Sequence, residues 1–600
     1  MRLASLFAAS LLAMMTCVPA SAQDRLPPQD RLSTHDRFAM AAPPIDNTWW
    51  KHAVIYEVYP RSFQDSNGDG IGDLNGITQR LDYLQALGVD AIWISPMYPS
   101  PQIDFGYDIS DYENVDPQYG TLADFDHLVA EAGKHKIRVL LDMVLNHTSD
   151  QHKWFIEAAS SKSNPKRDWY VWNKGKVVGG KQVPQNNWES YFAGSAWELS
   201  PKTKEFYYHK FYKQQPDLNW RNPAVERAMF GAMQFWLDRG VAGYRLDAVP
   251  TLFEDTQLRD EPALPGVNKQ GDRNLKELYT NNQPEVHGAM RRMRSMVEQY
   301  PANKYPGERV LIGETYLENV TDIDRWYGGA KKDELQLPMD MLLGFSGATL
   351  DAARMRKQIV DIETGVHGSQ PLLVFDNHDN SRSWDRFGDG VHDAQIAKMI
   401  ATLLLTTRST ALMYYGEELG MTTSTPTRKE DVKDPIGITG WPAEKGRDGE
   451  RTPMQWDGSA QAGFSTSAKT WLPVAANATT VNVQAELADP RSLLNWHKKL
   501  IVIRRTRDAV RDGGIVMLAQ TNAKVLSYVR TAPPGHHNIV VAMNMSAQPQ
   551  TITLDLAAAG VKGDVLRTLM ATETSLDAVT TATFTLPPYA SFVGEVQIPK

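Results

Sequence analysis

Short apolar runs alternate with longer stretches of mixed polarity from about Trp49 onwards, and this alternation predicts repeated strand–helix units around a parallel sheet. The runs are rich in β-branched and aromatic residues and have the length of strands. The strand candidates are 53–58, 91–95, 138–143, 242–247, 310–314, 335–339, 372–376 and 410–415. This number of units fits an α/β fold closed into a (β/α)₈ TIM barrel, whose active site lies at the carboxyl ends of the strands.

Two segments depart from this alternation. Residues 148–213, between the third and fourth strands, predict an inserted subdomain, because bare loops of that length are uncommon in compact domains. Residues 489–507 have one apolar face and predict a helix that completes a catalytic region over 48–507. Beyond it the pattern changes to alternating strands, at 515–519, 525–530, 539–544, 550–554 and 591–596. These predict a C-terminal antiparallel β domain, a small sandwich over 508–600.

The N-terminus has the pattern of a secretory signal. Arg2 precedes an apolar run, and Ala20-Ser21-Ala22 fits a small-residue cleavage site, so we predict a signal peptide over 1–22. Residues 23–47 lack periodicity and predict a flexible leader. The only cysteine, Cys17, lies within the signal, and no second apolar run is long enough to anchor the chain in a membrane. We therefore expect an exported protein, periplasmic or secreted, with no membrane anchor and no disulfide.

Charge and composition narrow the class of partner. The chain of 600 residues has a formal net charge of −8 and no block of lysine and arginine, which argues against a nucleic acid or an anionic membrane as partner. Its 16 tryptophans and 22 tyrosines suit a carbohydrate, since aromatic rings pack on the flat apolar faces of sugars, although most aromatic residues fill cores.

Three carboxylates follow strand candidates: Asp247, Glu314 and Asp379. Acidic residues after strands can simply cap helices. That explanation accounts poorly for Arg245, which shares a strand face with Asp247, because a cation beside a carboxylate keeps it ionised and aimed. Hydrolysis of a glycosidic bond needs two carboxyl groups, one on each side of the bond. The pattern favours a glycosidase.

The motifs DMVLNH (142–147), QQPDLNW (214–220), GYRLDAV, GET and NHD occur in this order along the chain. Together they resemble glycoside hydrolase family 13, the α-amylase family, and within it the α-glucosidase and oligo-1,6-glucosidase branch. The resemblance implies cleavage with retention, with Asp247 as nucleophile and Glu314 as general acid/base. It also implies that Asp379 binds and stabilises the distorted sugar and that 148–213 forms domain B. Asp142 lies within the third strand candidate, and we expect it to support the site without taking part.

The same resemblance assigns a sugar pocket. His147 and His378, each preceded by asparagine, are expected to bind hydroxyls of the terminal glucose. Tyr107 is expected to stack under that glucose, and Asp108 to bind its outer hydroxyls and pair with Arg451. Closure of the pocket beyond one sugar would make the enzyme act from chain ends; a simple turn at 106–112 is the alternative.

The segment DSNGDGIGD (65–73) places oxygen atoms at alternate positions, as calcium loops do. It is not an EF-hand, since the position that needs a bidentate glutamate is Gly76. The resemblance implies a structural Ca²⁺ held by Asp65, Asn67, Asp69, the Ile71 carbonyl and Asp73. A turn without metal is the alternative.

The combined prediction is an exported, retaining α-glucosidase that removes terminal α-1,4-linked glucose from maltose and short malto-oligosaccharides. Ala248, directly after the nucleophile, favours α-1,4 cleavage, because the resemblance associates valine there with α-1,6 cleavage. The alternatives are an oligo-1,6-glucosidase, and a transglycosylase or sucrose or trehalose isomerase on the same scaffold. A non-catalytic carbohydrate-binding relative is disfavoured by the intact carboxylates.

Overall fold

The structure is a computed structural model that describes residues 48–597, apart from 270, 302–306, 346, 348 and 519–521. The predicted signal peptide and leader lie outside the described residues and stay predictions. Within the part that is described, no helix is long and apolar enough to cross a membrane.

Eight parallel strands form a closed barrel in which each strand pairs with its neighbours along the chain and the last pairs with the first. The barrel strands are Val54–Val58, Ala91–Ile94, Arg138–Val144, Gly243–Asp247, Val310–Gly313, Leu337–Asp340, Leu372–Val374 and Thr410–Tyr414. The predicted barrel is confirmed. Side chains such as Ile55, Trp93, Leu140 and Ile312 fill its interior. Because that interior is packed, chemistry is confined to the loops at the carboxyl ends of the strands.

Helices flank the barrel and pack their apolar faces against it. The longer ones are Leu122–Lys134, Lys153–Ser160, Pro223–Leu237, Glu285–Gln299, Ala352–Gly365, Asp393–Thr406 and Leu493–Thr506. The shorter ones are Pro60–Phe63, Leu74–Gln79, Leu81–Leu87, Val320–Trp326, Leu342–Phe345, Ser383–Phe387, Pro435–Gly440, Val483–Ala488 and Asp508–Arg511. The helix predicted over 489–507 begins after Ser492, whose side chain caps it by accepting from the Asn495 N–H.

An insertion with its own small sheets follows the third barrel strand. Its strands are Trp172–Asn173, Lys176–Val178, Lys181–Val183, Trp197–Leu199 and Phe206–Tyr208. A hairpin after the fourth barrel strand, Ala263–Val267 with Arg273–Leu275, was not predicted. Its strands have exposed and half-buried residues with no alternation, so they lack the periodic signal of a half-buried strand. The segment leading into it contacts the insertion, where Trp188 Nε1 donates to the Arg259 carbonyl at 2.8 Å.

The C-terminal domain is antiparallel, as predicted. A five-stranded sheet contains Ile515–Met517, Val525–Arg530, Ile539–Asn544, Ser591–Val596 and Leu566–Ala571. A two-stranded sheet pairs Gln550–Thr553 with Thr583–Leu586. Buried residues from both sheets, including Phe592 and Leu586, form one apolar cluster. The strands over 566–571 and 583–586 were missed in the sequence, because each buries few of its side chains.

Candidate active site

Arg245 joins the two carboxylates on neighbouring strand ends. The fourth and fifth strands pair with Leu246 opposite Gly313, so Asp247 and Glu314 follow at adjacent positions. Arg245 Nη1 lies 2.7 Å from Asp247 Oδ1, and Nη2 lies 2.8 Å from Glu314 Oε2. The guanidinium is buried, and its planar fork holds both carboxylates in fixed directions. The predicted pairing of Arg245 with Asp247 is confirmed, and Glu314 shares the same cation.

Asp142 supports this group from the third strand. Its carboxylate accepts from Arg245 Nη1 at 2.9 and 3.0 Å and from Trp93 Nε1 at 3.1 Å. Tyr107 Oη donates to the same carboxylate at 3.1 Å. Asp142 is fully buried and shares Arg245 with Asp247 and Glu314, which places it in the supporting position expected of it.

Asp379 lies in the loop after the seventh strand, between two arginines. Its Oδ1 accepts from Arg447 Nη1 at 2.7 Å and from Arg451 Nη2 at 2.9 Å. Burial alone would raise the pKa of Asp379, but the charges of Arg447 and Arg451 act against it and hold that pKa well below its usual range. Because both arginines are permanently charged, Asp379 stays ionised.

Tyr107 and His378 form a stacked pair beside Asp379. Their ring centroids are 5.3 Å apart with an interplanar angle of 14°. The Tyr107 hydroxyl lies 2.7 Å from His378 Nε2, which is also 3.3 Å from Asp379 Oδ2. Burial lowers the pKa of His378 well below its ordinary value, so its imidazole is neutral.

His147 closes the other side of the group. Its Nε2 lies 3.2 Å from the Tyr107 carbonyl and 3.2 Å from Gln215 Nε2. Burial lowers the pKa of His147 to about 3. Gln215 in turn donates to Asp104 Oδ2 at 3.1 Å, so the histidine, the amide and this aspartate form one network.

The predicted pair of Asp108 with Arg451 is wrong. Asp108 turns into its own loop, where its carboxylate accepts from Ser100 Oγ at 2.8 Å and from the N–H groups of Ile103 and Asp104 at 3.0 Å each. Burial raises the pKa of Asp108 to about 6. Arg451 instead donates to Asp379 and, through Nε, to the His378 carbonyl at 2.8 Å.

At this end of the site, the aspartate that pairs with an arginine is Asp104, and its partner is Arg447. Arg447 Nη2 lies 2.8 Å from Asp104 Oδ1, and the same guanidinium contacts Asp434 Oδ1 at 2.8 Å. Since Arg447 also contacts Asp379, it links the loop after the second strand to the loop after the seventh. Sequence reasoning missed both residues. Two signals were present: Asp104 precedes Tyr107 by three positions, and RDGER offers a second arginine four residues before Arg451.

Ala248 has an unusual backbone conformation. Its φ of 41° and ψ of 39° lie in the left-handed region, and a short 3₁₀ helix, Val249–Thr251, follows it. The Ala248 N–H donates to Glu314 Oε2 at 2.9 Å. The residue after Asp247 therefore positions Glu314 directly through its backbone.

The five predicted calcium ligands lie on one loop after the first strand. In this arrangement Asp65 accepts from the N–H groups of Asn67, Gly68 and Gly70, and Asp69 from the N–H of Ile71. The donor set consists only of oxygen atoms, which suits a hard cation such as Ca²⁺. Over the described range, with its gaps, no group of three or more His, Cys, Asp or Glu side chains is placed to hold a metal ion. Calcium therefore stays a prediction.

Asp247 and Glu314 titrate as a pair. Burial raises the pKa of Asp247 and the pKa of Glu314 to about 7 each, against the charge of Arg245, which lowers both. Asp247 and Asp379 further raise the pKa of Glu314. Because close acids lose their protons in two steps that belong to the pair, this pair holds one proton near neutral pH. One carboxylate and one carboxylic acid are what a retaining glycosidase requires.

Comparison with known proteins identifies the family of the chain. The alpha amylase catalytic domain matches residues 57–513, and the maltogenic amylase C-terminal domain matches residues 515–593. The fold and the paired carboxylates define a glycoside hydrolase. With most of the chain matched to its catalytic domain, the protein belongs to the α-amylase family, glycoside hydrolase family 13.

Individual relatives are similar over most of their length. A probable alpha-glucosidase from Rhizobium meliloti (strain 1021) is 41% identical over 524 residues, which cover 85% of this chain and 92% of that protein. An oligo-1,6-glucosidase from Parageobacillus thermoglucosidasius is 39% identical over 543 residues, covering 85% and 92%. The solved structure of an alpha-glucosyl transfer enzyme, XgtA, has a TM-score of 0.82 at 37% identity, covering 92% of this chain and 99% of that one.

Proposed function

We propose that this enzyme is a retaining α-glucosidase that removes terminal α-1,4-linked glucose from maltose and short malto-oligosaccharides. The observation that carries the proposal is the ion pair of Asp104 with Arg447, at 2.8 Å. It joins two barrel loops beside Asp379 and Tyr107, and the ring of Phe192 from the insertion lies 5.7 Å from the Arg447 guanidinium. In this proposal the ion pair of Asp104 with Arg447 forms a wall at the end of the sugar pocket. A sugar chain cannot continue past this wall, so only its terminal glucose fits between the wall and the reacting carboxylates.

The chemistry uses the two protonation states of the carboxylate pair. Asp247 attacks the anomeric carbon and forms a covalent glucosyl ester, while Glu314 gives its proton to the departing glycosidic oxygen. Water, deprotonated by Glu314, then attacks the same carbon and breaks the ester bond to Asp247. Two displacements at one centre restore the α configuration and return the proton to Glu314.

Asp379 supplies the negative charge that an oxocarbenium-like transition state needs. Arg447 and Arg451 keep it ionised and fix its direction, so its charge requires no rearrangement during the reaction. In this proposal His147 and His378 bind hydroxyls of the terminal glucose, and Tyr107 stacks beneath it.

The names of the relatives keep two alternatives in view, α-1,6 cleavage and glucosyl transfer. All three outcomes share the glucosyl ester and differ in the leaving group or in whether water or a sugar attacks it. Ala248 supports α-1,4 cleavage, since the bulkier valine goes with α-1,6 cleavage in the resembling branch. Discrimination by one or two methyl groups is worth about 1–3 kcal/mol.

A malto-oligosaccharide with a chromogenic group at its reducing end tests exo action. We expect glucose to be released one unit at a time from the free non-reducing end. The matched control carries a blocking group on that end, and we expect no cleavage of it. Cleavage of the blocked substrate would contradict the proposal.

Two further features are proposed on sequence grounds. Export is supported by the apolar N-terminal run and by the cleavage site at Ala22, and N-terminal sequencing of the mature protein tests it. Calcium binding on the loop 65–73 is supported by its all-oxygen donors. Such an ion would be structural, because the loop does not supply the reacting carboxylates.

A further inference from the structure

Glu57, near the carboxyl end of the first barrel strand, contacts the sugar-site histidine but takes no part in the chemistry described above. Glu57 and His378 are 0% and 1% exposed. Glu57 Oε1 lies 2.5 Å from His378 Nδ1 and 3.4 Å from Ser95 Oγ. Within the described part of the chain, Glu57 Oε2 has no hydrogen-bond partner. This carboxyl group has one strong contact and one unpaired oxygen.

Ionised Glu57 would be poorly accommodated at this position. A buried carboxylate needs a cation or several donors, and its desolvation otherwise exceeds what it gains. Among the described residues, no lysine or arginine lies within salt-bridge distance of Glu57, and its only ion-pair contact is His378. Burial raises the pKa of Glu57 well above its usual range; Arg245 opposes this, whereas Asp379, Asp142 and Glu314 reinforce it.

The other ring nitrogen of His378 decides where the histidine proton lies. Nε2 is 2.7 Å from Tyr107 Oη and 3.3 Å from Asp379 Oδ2, and the ionised Asp379 can only accept. Tyr107 has a single O–H, which also reaches Asp142 at 3.1 Å. If the proton were on Nδ1, the lone pair of Nε2 would face the carboxylate of Asp379. Nε2 would then also compete with Asp142 for the O–H of Tyr107. A proton on Nε2 gives every group a partner.

We propose that Glu57 is a neutral carboxylic acid that donates a hydrogen bond to His378 Nδ1 and so holds His378 as its Nε2–H tautomer. The single N–H of the ring then points towards Tyr107 Oη and Asp379 Oδ2, and it is the donor that a hydroxyl of the bound glucose would share. Glu57 touches no substrate and is a positioning residue that acts through His378. The inference rests on the proposed function, in which His378 binds the terminal glucose.

Two substitutions in the full-length protein test this role. Glu57→Leu keeps the volume and removes the donor, and we expect kcat/KM on maltose to fall about tenfold, mainly through a higher KM. Glu57→Gln keeps a donor for Nδ1, and we expect it to recover most of that loss with the pH profile of the wild type, because no charge has been removed. The matched control is Glu418→Gln, which changes another fully buried carboxyl, held by Tyr56 and Tyr83 away from the site, and should leave KM unchanged.

Infrared difference spectroscopy reads the proton directly. At neutral pH we expect the wild type to have a carboxylic-acid C=O band that is absent from Glu57→Gln. The proposal would be overturned by any of three results: the carboxylic-acid band remains in Glu57→Gln, the pH profile of Glu57→Gln is shifted, or Glu57→Leu and Glu57→Gln lose equal activity. Cleavage of the end-blocked substrate by the wild type would instead refute the proposed exo function and leave the infrared result standing, so the two failures are distinguishable.

Discussion

Asp104→Asn tests the wall that defines the end of the sugar pocket. The substitution keeps the shape and one acceptor oxygen but removes the charge that pairs with Arg447 at 2.8 Å. Asp104 is buried, so solvent screens this pair little. We expect the wall to loosen and the terminal glucose to lose its fit.

The size of the effect follows from the remaining contacts. Hydrogen bonds to charged groups contribute about 1.5–3 kcal/mol, and asparagine keeps part of this one. Arg447 also retains Asp379 and Asp434, at 2.7 and 2.8 Å, so its charge stays compensated. We therefore expect a loss of about 1–2 kcal/mol in transition-state binding, or about 5- to 30-fold in kcat/KM.

Initial rates on maltose measure this loss, with thermal unfolding as the check on folding. Asp108→Asn is the matched control, because Asp108 lies four residues later and bonds only to its own loop. We expect Asp108→Asn to lower the melting temperature but to leave kcat/KM on maltose close to that of the wild type. If Asp108→Asn reduced kcat/KM and Asp104→Asn did not, the assignment of the wall would be refuted.

Four further predictions follow from the site. Asp247→Asn and Glu314→Gln should each abolish maltose hydrolysis without unfolding; near-wild-type rates in either would disprove its role. The pH profile of kcat/KM should be bell-shaped around the pair's pKa values of about 7. At lower pH Asp247 is protonated and cannot attack, and at higher pH Glu314 has lost the proton that it must donate. A kcat/KM that is constant across this pH range would count against one shared proton. Calcium should raise the melting temperature by mass action, and Asp69→Ala should remove that increase; a melting temperature insensitive to both would exclude the metal. Ala248→Val should shift the preference from maltose towards isomaltose. Ala248→Thr is the control and should not shift it, because threonine is equally branched and equally strained at a φ of 41°. If the two variants had the same ratio of kcat/KM on maltose to kcat/KM on isomaltose, backbone strain would explain any change.

The barrel could be predicted because its strands are buried on both faces and therefore read as continuous apolar runs. Asp247 and Glu314 come directly after such runs, so their neighbourhood followed from the strand order. The hairpin over 263–275 could not be predicted in this way, since its strands bury little and its register is interrupted.

The residues of the wall could not be chosen from the sequence alone. Asp104 and Asp108 are both acidic residues of one irregular loop, in which Phe105 and Gly106 have φ values of 45° and 109°. No helical or strand period applies there, so spacing does not tell which side chain faces the site. Hydrogen bonds settle it: the N–H groups of Ile103 and Asp104 hold Asp108 inside the loop and leave Asp104 free to pair with Arg447.

Trapping the glucosyl ester tests the central claim most directly. In Glu314→Gln, α-glucosyl fluoride can still react, since fluoride leaves without a proton, but no general base remains to activate water. The intermediate should therefore accumulate. Mass spectrometry of the digested protein should find one added glucosyl group on the peptide that contains Asp247. A glucosyl group on another residue, or none while glucose is still released, would contradict the account.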